Sequence, residues 1–514
     1  MNRHIAAIDA GTNSFHMIIA RVDPGNSTLD IIDREKEMIR LGSGSANMKF
    51  ISGESMSKAV DTLKKFKKIC TAKNASIRAV GTSVVREALN SDFFLKKVKV
   101  ETGIDIEVIS GFEEARLIYQ GVLHALPVYN KKILVVDIGG GSTEFLVGQK
   151  NNIFYGNSLK IGTVRLTEKF FSERKFKRKA IKKCRNFVKG MLFPIARAVK
   201  KMKYDEVIGT SGTIINALRV ARRLAGRYEQ GNENNTLTRK EFETVYEIIL
   251  SAGTPEKIAE IPGLNKKRAD IILAGIIILG EIFRQFDIEE LKVSEYALRE
   301  GLIFDTMQRA YPGKYSHMFV DLRYKSVTTL GRTFRLEEKH AFQTEKLALE
   351  IFDQLKPLHK LKHAEREYLR YAAILHDIGL VLSHSQHHIH SYYIIRNAEL
   401  FGFTENEKEI IANISRYHRK SHPKMKHPGF LNLSDTDRDK VKKLSAILRI
   451  ADGLDRMHSS AIEFVRCIIR RNSVNMMLKY SSKSNIDIAI WGADVKKFLF
   501  EEVYGKKVNF EKAG

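Results

Sequence analysis

The sequence predicts two tandem α/β lobes, then an all-α domain, then a small C-terminal α+β domain. Three observations predict it. The pattern D-x-G-x-x-S occurs twice, as Asp9-Ala-Gly11-Thr-Asn-Ser14 and as Asp137-Ile-Gly139-Gly-Gly-Ser142, each time between two apolar runs. Short strand-like runs alternate with helical stretches to about residue 150 and again in a second unit that follows, the mark of α/β architecture. Beyond residue 310 helical periodicity prevails, and 12 of the 16 histidines fall between His340 and His458.

The elements follow in order. Ile5-Ala-Ala-Ile8 is a strand, and Phe15 to Ala20 is its return strand across the first turn. Ile77-Arg-Ala-Val80 ends in Gly81-Thr-Ser83 and leads into a helix over Val84–Leu89. Ile106-Glu-Val-Ile109 ends in Ser110-Gly111 and leads into a helix over Glu113–Leu123. The second lobe repeats the scheme with strands at Ile133–Val136 and Phe145–Val147, a helix over Lys179–Lys201, and Glu206-Val-Ile208 leading into Gly209-Thr-Ser-Gly-Thr213. Helices dominate from there to about residue 309, including the apolar Ile271–Phe283. Tyr311-Pro312-Gly313 punctuates the chain. After residue 466 the pattern alternates again, at Val474-Asn-Met-Met-Leu478 and Ile486-Asp-Ile-Ala-Ile-Trp491. The expected domains are therefore 1–124, 125–309, 310–466 and 467–514.

At 514 residues the chain is too long for one hydrophobic core. A hydrophobic content of 43% with mixed charge describes a globular protein. Cys70, Cys184 and Cys467 are dispersed and show no CxxC spacing, which argues against a disulfide framework or zinc knuckle and for a reducing compartment. No signal-peptide core follows Met1. The longest apolar run, Ile271 to Gly280, falls far short of the roughly 20 residues that span a bilayer. The expectation is a cytoplasmic protein with no membrane partner. The 86 basic and 60 acidic residues leave a net charge of +26, which draws in polyanions. No recognition helix, zinc finger or RNP motif favours a specific nucleic acid.

A strand that ends in Asp-x-Gly has a physical use. Glycine allows the tight turn and lets backbone N–H groups approach an anion. Thr12, Asn13, Ser14, Ser142 and Thr143 add side-chain donors. Gly11, Gly139, Gly140 and Gly141 form the turns. Asp9 and Asp137 repel phosphate but can hold a divalent cation that bridges to it. Gly209, Ser211, Gly212 and Thr213 form a third glycine-hydroxyl loop, which suits another phosphate or an ordinary strand–helix turn. Two phosphate turns in two facing α/β lobes describe a duplicated actin-like (ribonuclease H-like) fold. Arg86, one turn into its helix, has the planar fork that suits phosphate oxygens. Glu113 and Glu114 fall in a first helical turn, where either can simply complement the helix dipole.

Together, five ordered motifs resemble the exopolyphosphatase / guanosine pentaphosphate phosphohydrolase (Ppx/GppA) family. They are D-x-G-T-N-S at 9–14, G-T-S-x-x-R-E-A at 81–88, S-G-x-E-E-A-R-L-I-Y at 110–119, V-D-I-G-G-G-S-T-E at 136–144 and G-T-S-G-T at 209–213. The resemblance implies that Glu114 is the base that activates water, and that Glu144 joins Asp9 and Asp137 in binding Mg2+ (or Mn2+). A monovalent cation such as K+ is compatible with such a site, and the resemblance further implies a homodimer.

In the histidine-rich part, His340, His376-Asp377 and Asp452 stand in the ligand order of HD-domain phosphohydrolases, whose nitrogen and carboxylate ligands bind a divalent metal. His387, His388 and His418 could enlarge that site. Long members of the family carry such an HD-like domain, implied to extend the substrate channel and support dimerisation. The four residues mark either a second metal site or a metal-free relic. The basic run Arg416, Arg419, Lys420, Lys424 and Lys426 is either a solvated loop or a guide for a long polyanion.

The reading that follows is a magnesium-dependent exopolyphosphatase that releases terminal orthophosphate from inorganic polyphosphate, the charge favouring the polymer. The alternative is a guanosine pentaphosphate (pppGpp) 5′-phosphohydrolase working at the same site. An actin-like kinase and a non-catalytic polyanion binder are rivals of other classes.

Overall fold

Two sheets of the same topology make up the first part of the chain. The computed structural model describes residues 4–513 except 24–27, 44–47, 174–175, 227–234, 311–321, 399, 401 and 481–485. In the first sheet, β1 (His4–Ala10), β2 (Ser14–Asp23), β3 (Thr28–Met38), β4 (Ala75–Gly81) and β5 (Ile106–Val108) stand in the order β3-β2-β1-β4-β5. The first three form an antiparallel meander, and β4 and β5 run parallel to β1. The second sheet holds β6 (Ile133–Ile138), β7 (Thr143–Gln149), β8 (Asn152–Leu159), β9 (Glu206–Thr210), β10 (Thr236–Thr238) and β11 (Glu290–Val293). Its order, β8-β7-β6-β9-β11-β10, repeats the first, with β10 added as an antiparallel edge. This is the duplicated actin-like, ribonuclease H-like architecture.

The central strands are buried on both faces, so they read as continuous apolar runs. Ala6 and Ile8 of β1 enter one core, with Phe15 and Met17 of β2. Ile5 and Ala7 point the other way, into a core shared with Ile133 and Val135 of β6. Between those strands lie Leu117 and Ile118 of the helix Gly111–Ala125 and Leu302 and Ile303 of the helix Leu298–Ala310. The expected boundary near residue 124 therefore separates sheets but not bodies: residues 1–320 form one compact unit. The two helices pack very closely, since a Cβ on Gly301 would fall 1.7 Å from the Leu117 carbonyl oxygen. Only glycine permits that approach.

Several elements differ from the sequence reading. A helix at Gly53–Ala72 and strands β3 and β8 were not anticipated, and β10 and β11 lie in a stretch expected to be helical. Glu290-Leu-Lys-Val293 is short and charged; it is a strand because a slot beside β9 is open to it.

Residues 321–514 form a second compact unit. Its main helices are Glu338–Gln354, His363–Leu375, His387–Asn397, Glu405–Arg416 and Asp435–Leu454, and its sheet contains β12 (Ile462–Ile469), β13 (Ser473–Tyr480) and β14 (Lys507–Ala513). Leu375, Ile411 and Ile447 share one core with Val465, Met476 and Val508, so the tail expected from residue 467 has no core of its own. Ile486–Trp491, read as a strand, runs into a helix, Asp487–Lys496. The alternation there is overridden by close packing: a Cβ on Gly453 would lie 2.7 Å from Ala493 Cα, so two helices meet on small residues. Tyr311-Pro312-Gly313 lies outside the described residues. Among the described residues no helix is long and apolar enough to cross a membrane. Cys70, Cys184 and Cys467 are free.

Candidate active site

The β1–β2 and β6–β7 turns line one cleft of about 420 Å³, together with Asp9, Asp137 and Glu114. The hairpin register shows how unequal the repeat is. Asp137 sits directly opposite Glu144, and Asp9 directly opposite His16. Residues paired across a hairpin point to the same face. One lobe therefore pairs two carboxylates and the other a carboxylate and an imidazole; Asp9, His16 and Asp137 line the cleft, whereas Glu144 is buried and outside its lining.

His16 prepares Ser14. Arg299 Nη1 lies 3.0 Å from His16 Nδ1 and can only donate, so the ring's Nε2–H donates to Ser14 Oγ at 2.7 Å. The Ser14 hydroxyl keeps its own proton for an acceptor in the cleft. Burial, then Arg299, hold His16 well below the ordinary histidine range, which keeps it neutral.

The helix Gly111–Ala125 begins at Ser110, whose Oγ accepts from the Glu113 N–H at 3.1 Å. The first turn then splits its two acids. Glu113 turns inward, where both its oxygens take Arg116 at 2.7 Å. Arg116 also holds Asp305 at 2.6 Å, and Asp305 in turn accepts from Arg78 and Arg309. Glu114 turns to the cleft. Arg86 Nη1 stands 3.3 Å from its Oε2 and donates to the Ile109 carbonyl at 2.7 Å.

Not every candidate reaches the cleft. Thr143 is fully buried, and its hydroxyl donates to the Ile161 carbonyl. Gly209 is a core position: a Cβ there would meet Leu291 at 2.5 Å. Thr213 is fully buried and packs against Gly275. These three positions face the core because residues of a strand or helix alternate in facing, which a motif string does not display. Ser211 and Gly212 do line the cleft. Ser211 adopts φ 79° and its Oγ donates to the Ile138 carbonyl at 2.7 Å, tying the third loop to β6. A side chain with positive φ stores strain that the surrounding site must hold.

Sequence reasoning missed His16, Arg268 and Arg299. Arg268 lies across Gly212, where a Cβ would come within 2.1 Å of its Nη2. Arg268 and Arg299 come from segments with no motif. His16 alone carried a signal, being seven residues after Asp9 as Glu144 is seven after Asp137.

Burial and mutual repulsion dominate the electrostatics of the acids. Burial, then the Glu114 carboxylate, push Asp9 up to about 7 and Asp137 up to about 8. The same two causes raise Glu144 well above the carboxylate range. Asp9 Oδ1 and Glu144 Oε2 are buried without a hydrogen-bond partner, while Ser158 Oγ donates to Glu144 Oε1 at 2.7 Å. Buried oxygen donors of this kind fit a hard divalent ion such as Mg2+ or Mn2+.

In the second unit the four HD-like candidates also converge. His340 Nε2 is 3.2 Å from His376 Nε2, 3.9 Å from Asp377 and 3.7 Å from Asp452.

Two ribonuclease H-like sheets, glycine turns around one cleft, clustered carboxylates and converging guanidiniums define an actin-like phosphohydrolase. The chain belongs to the Ppx/GppA phosphatase family: the family model matches residues 18–310, and that of Ppx/GppA phosphatase domain III matches residues 322–497. It is similar to a solved exopolyphosphatase from Cytophaga hutchinsonii, at 30% identity over 60% of this chain and 98% of that one, with a TM-score of 0.55. It is also similar to the Aquifex aeolicus member of the Ppx/GppA family, at 27% identity over 60% and 98% of the two chains, with a TM-score of 0.50.

Proposed function

We propose that the protein is an exopolyphosphatase that hydrolyses the terminal phosphoanhydride of inorganic polyphosphate. The observation that carries this reading is a second, basic groove of about 770 Å³ beside the cleft. Ser142 lines both, and Lys49, Arg86, Lys160, Arg165 and Lys169 line the groove. Glu87 also lines it and pairs with Lys160 and Arg165, so the cations outnumber the acid, and an excess of cations next to the cleft suits a polymer with a charge on every unit.

In this reading Glu114 takes a proton from water as the water oxygen attacks the terminal phosphorus. The bond to the bridging oxygen breaks, and the shortened chain leaves as a phosphate anion. Ser14, the glycine turns, Arg268 and Arg299 meet the charge on the phosphoryl oxygens. Asp9, Asp137 and Glu144 would hold Mg2+ or Mn2+, which when bound supplies Lewis-acid charge to those oxygens. The test is orthophosphate release from long-chain polyphosphate and from guanosine pentaphosphate under identical conditions. The polymer is expected to have the higher kcat/KM; a much higher value for the nucleotide overturns the substrate assignment.

The pH profile tests the base. Burial raises Glu114 above the ordinary carboxylate range, with Glu87 adding to this and Arg86 opposing it. A base works deprotonated, so activity should fall as pH drops through that raised value. Arg86→Gln removes an opposing charge, so the acid limb of kcat/KM should move to higher pH. An unmoved limb would show that Glu114 is not the titrating group.

A further inference from the structure

We propose that Arg165 is a positioning residue for the hydrolysis proposed above, holding the second glycine turn so that its amides face the phosphoryl group. The carbonyl oxygens of that turn are taken one after another by the helix Thr163–Phe170. Gly139 accepts from the Thr163 N–H at 3.0 Å, and Gly140 from the N–H groups of Val164 and Arg165 at 2.9 and 3.2 Å. Gly141 accepts from the Arg165 side chain, whose Nε–H donates at 2.7 Å.

In a trans peptide the C=O and the following N–H point in opposite directions. Fixing the three carbonyls towards the helix therefore turns the N–H groups of Gly140, Gly141 and Ser142 away from it. All three residues line the cleft, and none of these amides donates to a backbone carbonyl among the described residues. Consecutive amides turned to one side make a concave anion site.

The ties to Gly139 and Gly140 run from backbone to backbone and survive a change of side chain. The tie to Gly141 rests on residue identity. Arginine suits it because a planar fork reaches two ways at once. Nε holds the turn, while Nη2 meets Ser83 Oγ at 3.2 Å and Glu87 Oε1 at 3.0 Å on the other lobe. Ser83 donates to Glu87 at 3.2 Å, and Lys160 pairs with the second Glu87 oxygen at 2.9 Å. Ser83 and Glu87 bound the short helix that carries Arg86, the partner of Glu114. Arg165 thus joins the phosphate turn to the element beside the base. The lobes meet closely here: a Cβ on Gly141 would lie 2.4 Å from Ser83 Oγ and 2.7 Å from Thr12 Oγ1. With its side chain only 10% exposed, Arg165 is built into the wall between cleft and groove.

The test is steady-state hydrolysis by Arg165→Lys and Arg165→Ala, with tripolyphosphate and long-chain polyphosphate as substrates. Lysine keeps the charge and the pairing with Glu87 but cannot also hold the Gly141 carbonyl. Both variants should lose about 10²-fold in kcat, the scale of one lost oxyanion donor, with KM little changed. The factor should be the same on the short and the long substrate. Methylguanidine should restore part of the kcat of Arg165→Ala, whereas a guanidinium ion would only worsen a folding defect. Unchanged kcat with a KM that rises with chain length overturns the proposal, because Arg165 would then be a polymer contact. Full kcat in Arg165→Lys also overturns it, whether or not Arg165→Ala folds. The inference rests on the exopolyphosphatase reading for its substrate alone. If the wild type hydrolyses guanosine pentaphosphate instead, that reading fails, and the same kcat ratios taken on the nucleotide decide the role of Arg165.

Discussion

Glu114→Gln is expected to lower kcat by about 10²- to 10⁴-fold while KM changes little, the range general-base removal produces. Glutamine keeps the shape of the side chain and its reach into the cleft but cannot accept a proton. Glu114 stands 3.3 Å from Arg86 and carries the charge that, after burial, does most to raise Asp137 and Glu144. Its loss relieves repulsion among the remaining acids, so binding of a cation and an anionic substrate should be retained or improved. The measurement is single-turnover orthophosphate release beside equilibrium binding of polyphosphate. Unchanged kcat would move the role of base to another carboxylate.

Asp305→Ala is expected to destabilise the first unit by about 3–5 kcal/mol, the cost of breaking a buried ion pair from one side. Asp305 joins Arg78, Arg116 and Arg309, and Arg116 is only 3% exposed. Removing the carboxylate takes a partner from each of three guanidiniums, though Arg116 keeps Glu113 and Arg78 keeps Glu107. Asp305→Asn, which keeps hydrogen-bond acceptance without charge, should cost less. Urea unfolding followed by circular dichroism reads the effect. Trp491, the single tryptophan, lies in the other unit, so its fluorescence transition is an internal control. A cost below about 1 kcal/mol, the range of exposed pairs, would show the network to be well solvated.

Both predictions touch one dipeptide, Glu113-Glu114, the second through Arg116, which holds both Glu113 and Asp305, and it marks the limit of a sequence reading. The motif places two acids in the first turn of a helix, and the family resemblance implies that the second is the base. Nothing local says that the first is consumed by a salt-bridge network. That depends on Asp305, 189 residues from Arg116, arriving on a helix that Gly301 allows into contact. Arg268 and Arg299 were illegible for the same reason, since they reach the cleft only through tertiary approach. Thr143, Gly209 and Thr213 show the converse: their motifs were visible, but the two threonine side chains are fully buried and Gly209 packs against Leu291. The strand expected at Ile486–Trp491 is a helix because its small residues match Gly453 on a neighbour.

What the sequence determined by itself was the repeated strand–turn–strand unit and hence the paired lobes, because local φ/ψ demands and two-residue periodicity are written in consecutive residues. The order of His340, His376-Asp377 and Asp452 in the second unit was legible for the same reason. The tertiary structure alone decided the inequality of the two turns, in which His16 takes in one lobe the place Glu144 takes in the other, and which cations balance the acids. Charge balance and ligand geometry act through space at a few ångströms, between residues that the chain order keeps tens to hundreds of positions apart.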